Sequence, residues 1–129
     1  MIRFFLRSRI DGATVTGTNL DAEDSITIDS HLMHAAGLLP YEKVEVCDLT
    51  SGERFETSVV EGEAGSGTIG INGAASHLAR EGDTIVVACW ALLHEGQIAS
   101  HRPRFVRAGK GNRAREIREV ETASPVVDS

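Results

Sequence analysis

Residues 44–60 read VEVCDLTSGERFETSVV. Positions 44–49 alternate apolar and polar, the period of a half-buried strand. Ser51-Gly52 is a turn signal, and 55–60 returns to a β-branched, alternating run. Two strands joined by a short turn are therefore expected here. Moving outward, Ser25–Asp29 (SITID), 68–71 (TIGI) and 84–90 (TIVVACW) read as further strands. The last is apolar enough to be buried on both faces. Residues 4–10 alternate loosely, and 13–16 follow an expected turn at Asp11-Gly12. The glycine-rich 62–67 (GEAGSG) and Gly82-Asp83 punctuate the chain. Short strands separated by regular turns predict a mainly β domain, a small barrel or sandwich.

Two short helices are expected. Asp29 or Ser30 can cap Ser30–Ala36, with Gly37 as its stop, and 73–80 (GAASHLAR) can form another ended by Gly82. With 129 residues the chain forms one domain. That domain is expected over 1–108. Residues 109–129 read as a polar C-terminal tail, with a helical turn near 113–120 and an end at Ser124-Pro125.

Thirteen basic residues against nineteen acidic ones leave a formal charge of −6, which argues against a nucleic-acid binder. Residues 102–118 hold seven basic side chains and one acid, Glu116, yet read best as a solvated or partner-packed stretch. Aromatic side chains are scarce, at 5%, too few for a base-stacking platform. No run approaches the roughly 20 apolar residues of a membrane helix. The start, MIRFFLRSRI, is interrupted by Arg7 and Arg9 too early for a secretory segment. Two cysteines, Cys47 and Cys89, then read as reduced thiols, and a cytoplasmic location is expected.

Three tracts attract chemical interest: 23–25, 52–58 and 71–77. Taken singly, each has a plain reading. Asp24-Ser25 is a turn or strand start, Arg54 a solvated strand residue and Asn72-Gly73 a turn. His77 on the expected helix reads as structural, and His31, His34, His94 and His101 lack metal-ligand spacing, so no metal is expected. Gly65-Ser66-Gly67 lacks the third glycine and following helix of a dinucleotide loop.

Together the tracts say more. MIR at the start, Ser25 with the apolar residues and Asp29 behind it, HAAGLLPYEKVEV, and T-x-G-x-R-F-x-T over 50–57 stand in one register. So do Gly65-Ser66, Asn72-Gly73-Ala74-Ala75 with His77, and Gly82-Asp83 before an apolar strand. Over roughly 90 residues this order and spacing resembles the pyruvoyl-dependent aspartate 1-decarboxylase family. Arg102-Pro103 resembles a later feature of that family.

The resemblance implies a six-stranded double-ψ β-barrel with short helices, assembled as a homotetramer with active sites between subunits. It implies a lyase that converts L-aspartate to β-alanine, a pantothenate precursor, and CO2. It also implies a cofactor made from the chain. The Ser25 hydroxyl attacks the Asp24 carbonyl, the C–N bond breaks, and the acyl group moves to oxygen. Elimination of the ester leaves dehydroalanine at 25, and hydrolysis yields a pyruvoyl group and ammonia. The zymogen becomes residues 1–24 and 25–129. A pyruvoyl ketone joins the substrate amine as a Schiff base and accepts the electrons that decarboxylation releases. Ser25, Asp24, Thr57 and Ser58 are then the catalytic candidates. Arg9, Arg54, Thr57, Asn72, Gly73, Ala74 and Ala75 are the substrate-binding ones, with Arg54 matching the carboxylate-binding arginine. The expected partners are an amino-acid substrate and further copies of the chain, with a maturation factor as an optional partner of cleavage.

Several positions depart from that family. Asp24 stands where it usually has glycine, which reaches a left-handed backbone at lower cost. Ser58 replaces the proton-donating tyrosine, Ala22 another tyrosine, Arg9 a lysine, Asp11 a histidine and Cys47 a strand tryptophan. These changes account for the scarce aromatics and imply a wider, partly neutralised pocket. They leave open a divergent paralogue. That would be a pyruvoyl enzyme for another amino acid, or an unprocessed barrel with another catalytic or binding role.

Overall fold

The computed structural model describes residues 1–121; the expected tail end at Ser124-Pro125 lies outside them. In chain order the elements are β1 (Ile2–Thr14), β2 (Gly17–Asn19), β3 (Ser25–Asp29), α1 (Ser30–Ala36), β4 (Lys43–Asp48) and β5 (Arg54–Gly62). They continue with β6 (Ile69–Asn72), β7 (Thr84–His94), α2 (Glu95–Ile98), β8 (Arg104–Ala108) and β9 (Ala114–Glu119).

The strands lie in the order β2-β6-β3-β5-β4-β7-β1-β8-β9. Only residues 15 and 16 separate β1 from β2, so these two are one continuous stave. The row from β2 to β1 therefore begins and ends on the same stretch of chain and closes on itself. The joint is hydrogen-bonded: Thr16 N–H donates to the Ile69 carbonyl at 2.8 Å and Gly82 N–H to that of Val15 at 2.8 Å. Counted this way the barrel has six staves, the number expected, and the β8–β9 hairpin is appended to the outside of β1. Closure leaves no free edge within the barrel.

The alternation of 44–60 sets the two faces. Val44, Val46 and Val59 point inward and are buried, as are Ile26 and Ile28 on β3, Ile69 and Ile71 on β6, and Ile85 and Val87 on β7. α1 adds Leu32 and Met33. Its start is capped by Asp29, which accepts from His31 N–H, and it stops at Gly37 in the left-handed conformation at φ 70°. Arginines meet its last carbonyls: Arg7 donates to the Gly37 carbonyl at 2.9 Å and Arg104 to that of Ala35 at 3.2 Å.

Four expectations change. Asp11-Gly12 is not a turn; β1 runs through it with a bulge between Asp11 and Ala13, and Gly12 supplies the positive φ of 78°. The helix expected over 73–80 is a shorter 3-10 segment, Gly73–His77. The 84–90 strand extends to His94, and its outer face is half-buried or exposed except at Ala88. The expected helical turn near 113–120 is β9, paired antiparallel with β8. Ala, Arg and Glu favour a helix as readily as a strand. The open edge of β8 decides between them, helped by Arg118 stacking 5.2 Å from the Phe105 ring centroid. Asn112, buried at φ 56°, ties the hairpin to the barrel, donating to the Thr14 and Gly67 carbonyls at 2.8 Å each.

Candidate active site on the outer wall

Inward positions are filled by aliphatic side chains, so polar chemistry is left to the outer face. Ser25 opens β3 one position before the buried Ile26 and therefore faces outward. Its cross-strand partner on β6 is Asn72. Asn72 Nδ2 donates to Ser25 Oγ at 3.0 Å and to Thr27 Oγ1 at 2.9 Å. Ser25 Oγ in turn donates to the Glu23 carbonyl at 3.1 Å.

On the other side, β3 runs parallel to β5, with Ile26 opposite Val59. One step back along that register, Ser58 on β5 corresponds to Ser25 on β3, and Thr57 precedes Ser58 on the same strand. Ser58 is partly buried on the outer wall. Thr57 points the other way, opposite Val44. Its Oγ1 is buried and has no hydrogen-bond partner among the described residues. A buried hydroxyl without a partner costs about 1–3 kcal/mol, and Ser8 Oγ and Asp48 Oδ2 share this state.

The loop after β6 closes over the front of Ser25. Asn72 is extended, and Gly73 takes φ 79°. A Cβ on Gly73 would stand 2.8 Å from Asp24 Cα, so only glycine allows the two chains this close. Ala74 N–H donates to Asp24 Oδ1 at 2.8 Å. Ala75 packs partly buried against the core. Asp24 itself does not have a positive φ. The left-handed strain expected of an aspartate at this position is therefore absent, and its distinguishing feature is the bond to Ala74.

Arg9 and Arg54 lie apart from this cluster. They share a groove of about 280 Å³ with Leu6, Glu45, Cys47 and Trp90, among others; Ser25 does not line it. Arg54 starts β5 and Ser58 follows four residues later, about 13 Å along an extended strand. Arg54 is 69% exposed at its side chain and reaches only 3.8 Å from Glu45. Arg9 is held by Asp11, with Nε and Nη2 each 2.8 Å from Oδ1.

Sequence reading missed three features. Thr27 shares the Asn72 amide with Ser25. Asp11 occupies Arg9. The groove also keeps a tryptophan, Trp90, although Cys47 stands where a tryptophan was expected. Counting by two along β7 from Val86, which faces Cys47, reaches Ala88 and then Trp90 on the same face. That count was available from sequence, but the β4–β7 pairing was not.

The fold is a closed six-stave β-barrel with a cluster of polar side chains on its outer wall. The family profile described as aspartate decarboxylase matches residues 1–115. The aspartate 1-decarboxylase of Ralstonia nicotianae is 42% identical over 120 residues, covering 93% of this chain and 100% of the relative. That of Pelotomaculum thermopropionicum is 42% identical over 125 residues, 97% of this chain and 95% of the relative. That of Myxococcus xanthus is 47% identical over 113 residues, 88% and 87% respectively. The chain belongs to the aspartate decarboxylase family, whose members are carboxy-lyases. Among the described residues no helix is long and apolar enough to cross a membrane.

Proposed function

We propose that this protein removes the α-carboxylate of L-aspartate to give β-alanine and CO2, using a pyruvoyl group formed from Ser25 after cleavage between Asp24 and Ser25. The carrying observation is the setting of Ser25: an outward hydroxyl at a strand start, held by Asn72, with an unpartnered Thr57 hydroxyl on the neighbouring strand β5. These residues fit a group made in place from the serine. In that group a ketone beside an amide serves as the electron sink for an amine substrate.

The chain's own side chains supply the rest. Thr57 Oγ1 is suited to hydrogen-bond the Asp24 carbonyl as the Ser25 hydroxyl attacks it, stabilising the oxyanion. Asn72 Nδ2 keeps Ser25 Oγ oriented before cleavage. Arg54, mostly exposed and only loosely paired, is free to take a substrate carboxylate through two parallel N–H bonds. Ser58 Oγ is the nearby hydroxyl for returning a proton to the α-carbon. It is less acidic than a tyrosine, and a slow protonation step is expected.

Within one chain Arg54 lines a groove that does not include Ser25. This supports active sites completed by a second copy; a cytoplasmic homotetramer is proposed on the family resemblance. Cross-strand pairing of β1 and β7 aligns Ile2, Phe4 and Leu6 with His94, Leu92 and Trp90. Phe4 is 72% and Leu92 60% exposed. This apolar surface adjoins the arginine groove through Trp90, and contiguous exposed apolar area marks an interface. A maturation factor that speeds cleavage is compatible with the exposed Asp24–Ser25 bond.

Intact mass and product analysis test the reading. Wild-type protein should give two fragments meeting at 24–25, with β-alanine formed from L-aspartate, and Ser25→Ala should remain one chain without product. A single full-length mass after prolonged warm incubation overturns the mechanism. Cleaved protein that leaves aspartate untouched moves the substrate to another amino acid.

A further inference from the structure

We infer that the Asp24 carboxylate is an internal competitor of the substrate, held on the loop that receives the substrate's own carboxylate. The inference rests on the proposed function for the assignment of residues 72–75 to substrate. The competition itself is read from the contacts of Asp24.

Asp24 Oδ1 accepts the Ala74 N–H at 2.8 Å. The fit extends beyond a single bond. The backbone approach at Gly73 is so close that any side chain there would collide with the Asp24 carboxylate and stand 2.8 Å from Asp24 Cα and N. The carboxylate thus fills the space above Gly73, one residue from Ser25. An amide that binds an ionised acceptor makes a charge-assisted bond, stronger than one to a neutral group. An incoming carboxylate must displace Asp24 before it can use that N–H.

The chemistry of the occupant matches that of the substrate. Its side chain is the CH2–COO⁻ of aspartate. Cleavage between 24 and 25 frees the α-carboxylate as well, so residue 24 becomes an aspartate with both acid groups and an acylated nitrogen. It presents the substrate's two carboxylates and lacks the amine that reaction requires. It can therefore occupy carboxylate donors beside residue 25 without being consumed. A short tether gives such a group an effective concentration on the order of millimolar. A free ligand then binds with an apparent affinity reduced by the occupied fraction. Glycine at position 24 would carry no side-chain acid, so the β-carboxylate contact belongs to the aspartate of this chain.

Calorimetry with succinate, a dicarboxylate without an amine, tests this on full-length Ser25→Ala protein, where cleavage plays no part. Adding Asp24→Gly should tighten succinate binding about fivefold. Adding Asp24→Asn, which keeps the acceptor oxygen and removes the charge, should tighten it about twofold; it also covers the case in which glycine loosens the loop. Unchanged or weaker binding in both double variants, or no measurable succinate binding in any of them, overturns the inference. Processed Asp24→Gly enzyme should also show a lower KM for L-aspartate than processed wild type. If succinate binding tightens but no protein makes β-alanine, the competitor stands and the proposed function falls. If β-alanine is made and succinate binding is unchanged, the reverse holds.

Discussion

β3 carries an aspartate at each end, and the two do different work. Asp29, at the inner end, is 3% exposed. Its carboxylate accepts three backbone N–H groups: His31 at 2.9 Å, Gly65 at 3.0 Å and Gly67 at 2.8 Å. It caps α1 and pins the 62–67 loop across the barrel end. Asp24, just before the other end, is exposed and accepts one N–H, from Ala74. The same functional group is structural where the barrel encloses it and displaceable where it lies at the surface. The difference lies in how many backbone donors converge on each group and whether water can replace them.

The sharpest way to break this comparison is to remove the inner carboxylate. Asp29→Ala leaves three backbone donors without their acceptor and removes a helix cap, and should cost about 3 kcal/mol. Urea unfolding followed by circular dichroism measures it; a loss below about 1 kcal/mol would mean that Asp29 is not the anchor described.

Acid should act in the same direction. Burial pushes the Asp29 carboxyl up, but the N–H groups of Gly67, His31 and Gly65 together outweigh it and leave its pKa below the ordinary 3.8. A carboxyl with a lowered folded pKa stabilises the fold above its unfolded value, and that contribution is lost as pH falls through the folded pKa. Wild type should therefore lose its advantage over Asp29→Asn only below pH 3.8, seen as converging acid-unfolding curves. Convergence already at neutral pH would contradict the lowered pKa.

The smallest effect is expected at the outer end. Asp24→Ala removes one exposed hydrogen bond and should change stability by less than about 1 kcal/mol. A loss as large as that of Asp29→Ala, measured in the same urea series, would make Asp24 an anchor as well and erase the contrast.

How much of this was legible beforehand varies by residue. Asp29 as cap and Gly37 as stop were readable, because these caps join residues two to four apart. Ser25, Asn72 and Gly73 stand out as candidates from motif and register. The Asp24–Ala74 bond could not, since it joins positions fifty apart and exists only where β3 and β6 pair. β9 was misread because its residues suit a helix and the edge that recruits them belongs to another strand. The pairing of Arg9 with Asp11 was two residues away on one strand; the bulge at Asp11 that alters the alternation there was not visible.

Sequence alone determined the alternation that makes the barrel wall, the short capped helix, and the in-register residues that identify the family. Each depends on neighbours in the chain or on a motif read along it. Tertiary structure decided which residues share the outer wall, that Trp90 takes a place beside Cys47, and that the Asp24 carboxylate bonds to Ala74. Those outcomes depend on strand pairing and closure, where contacts between distant residues become favourable only after the barrel has formed.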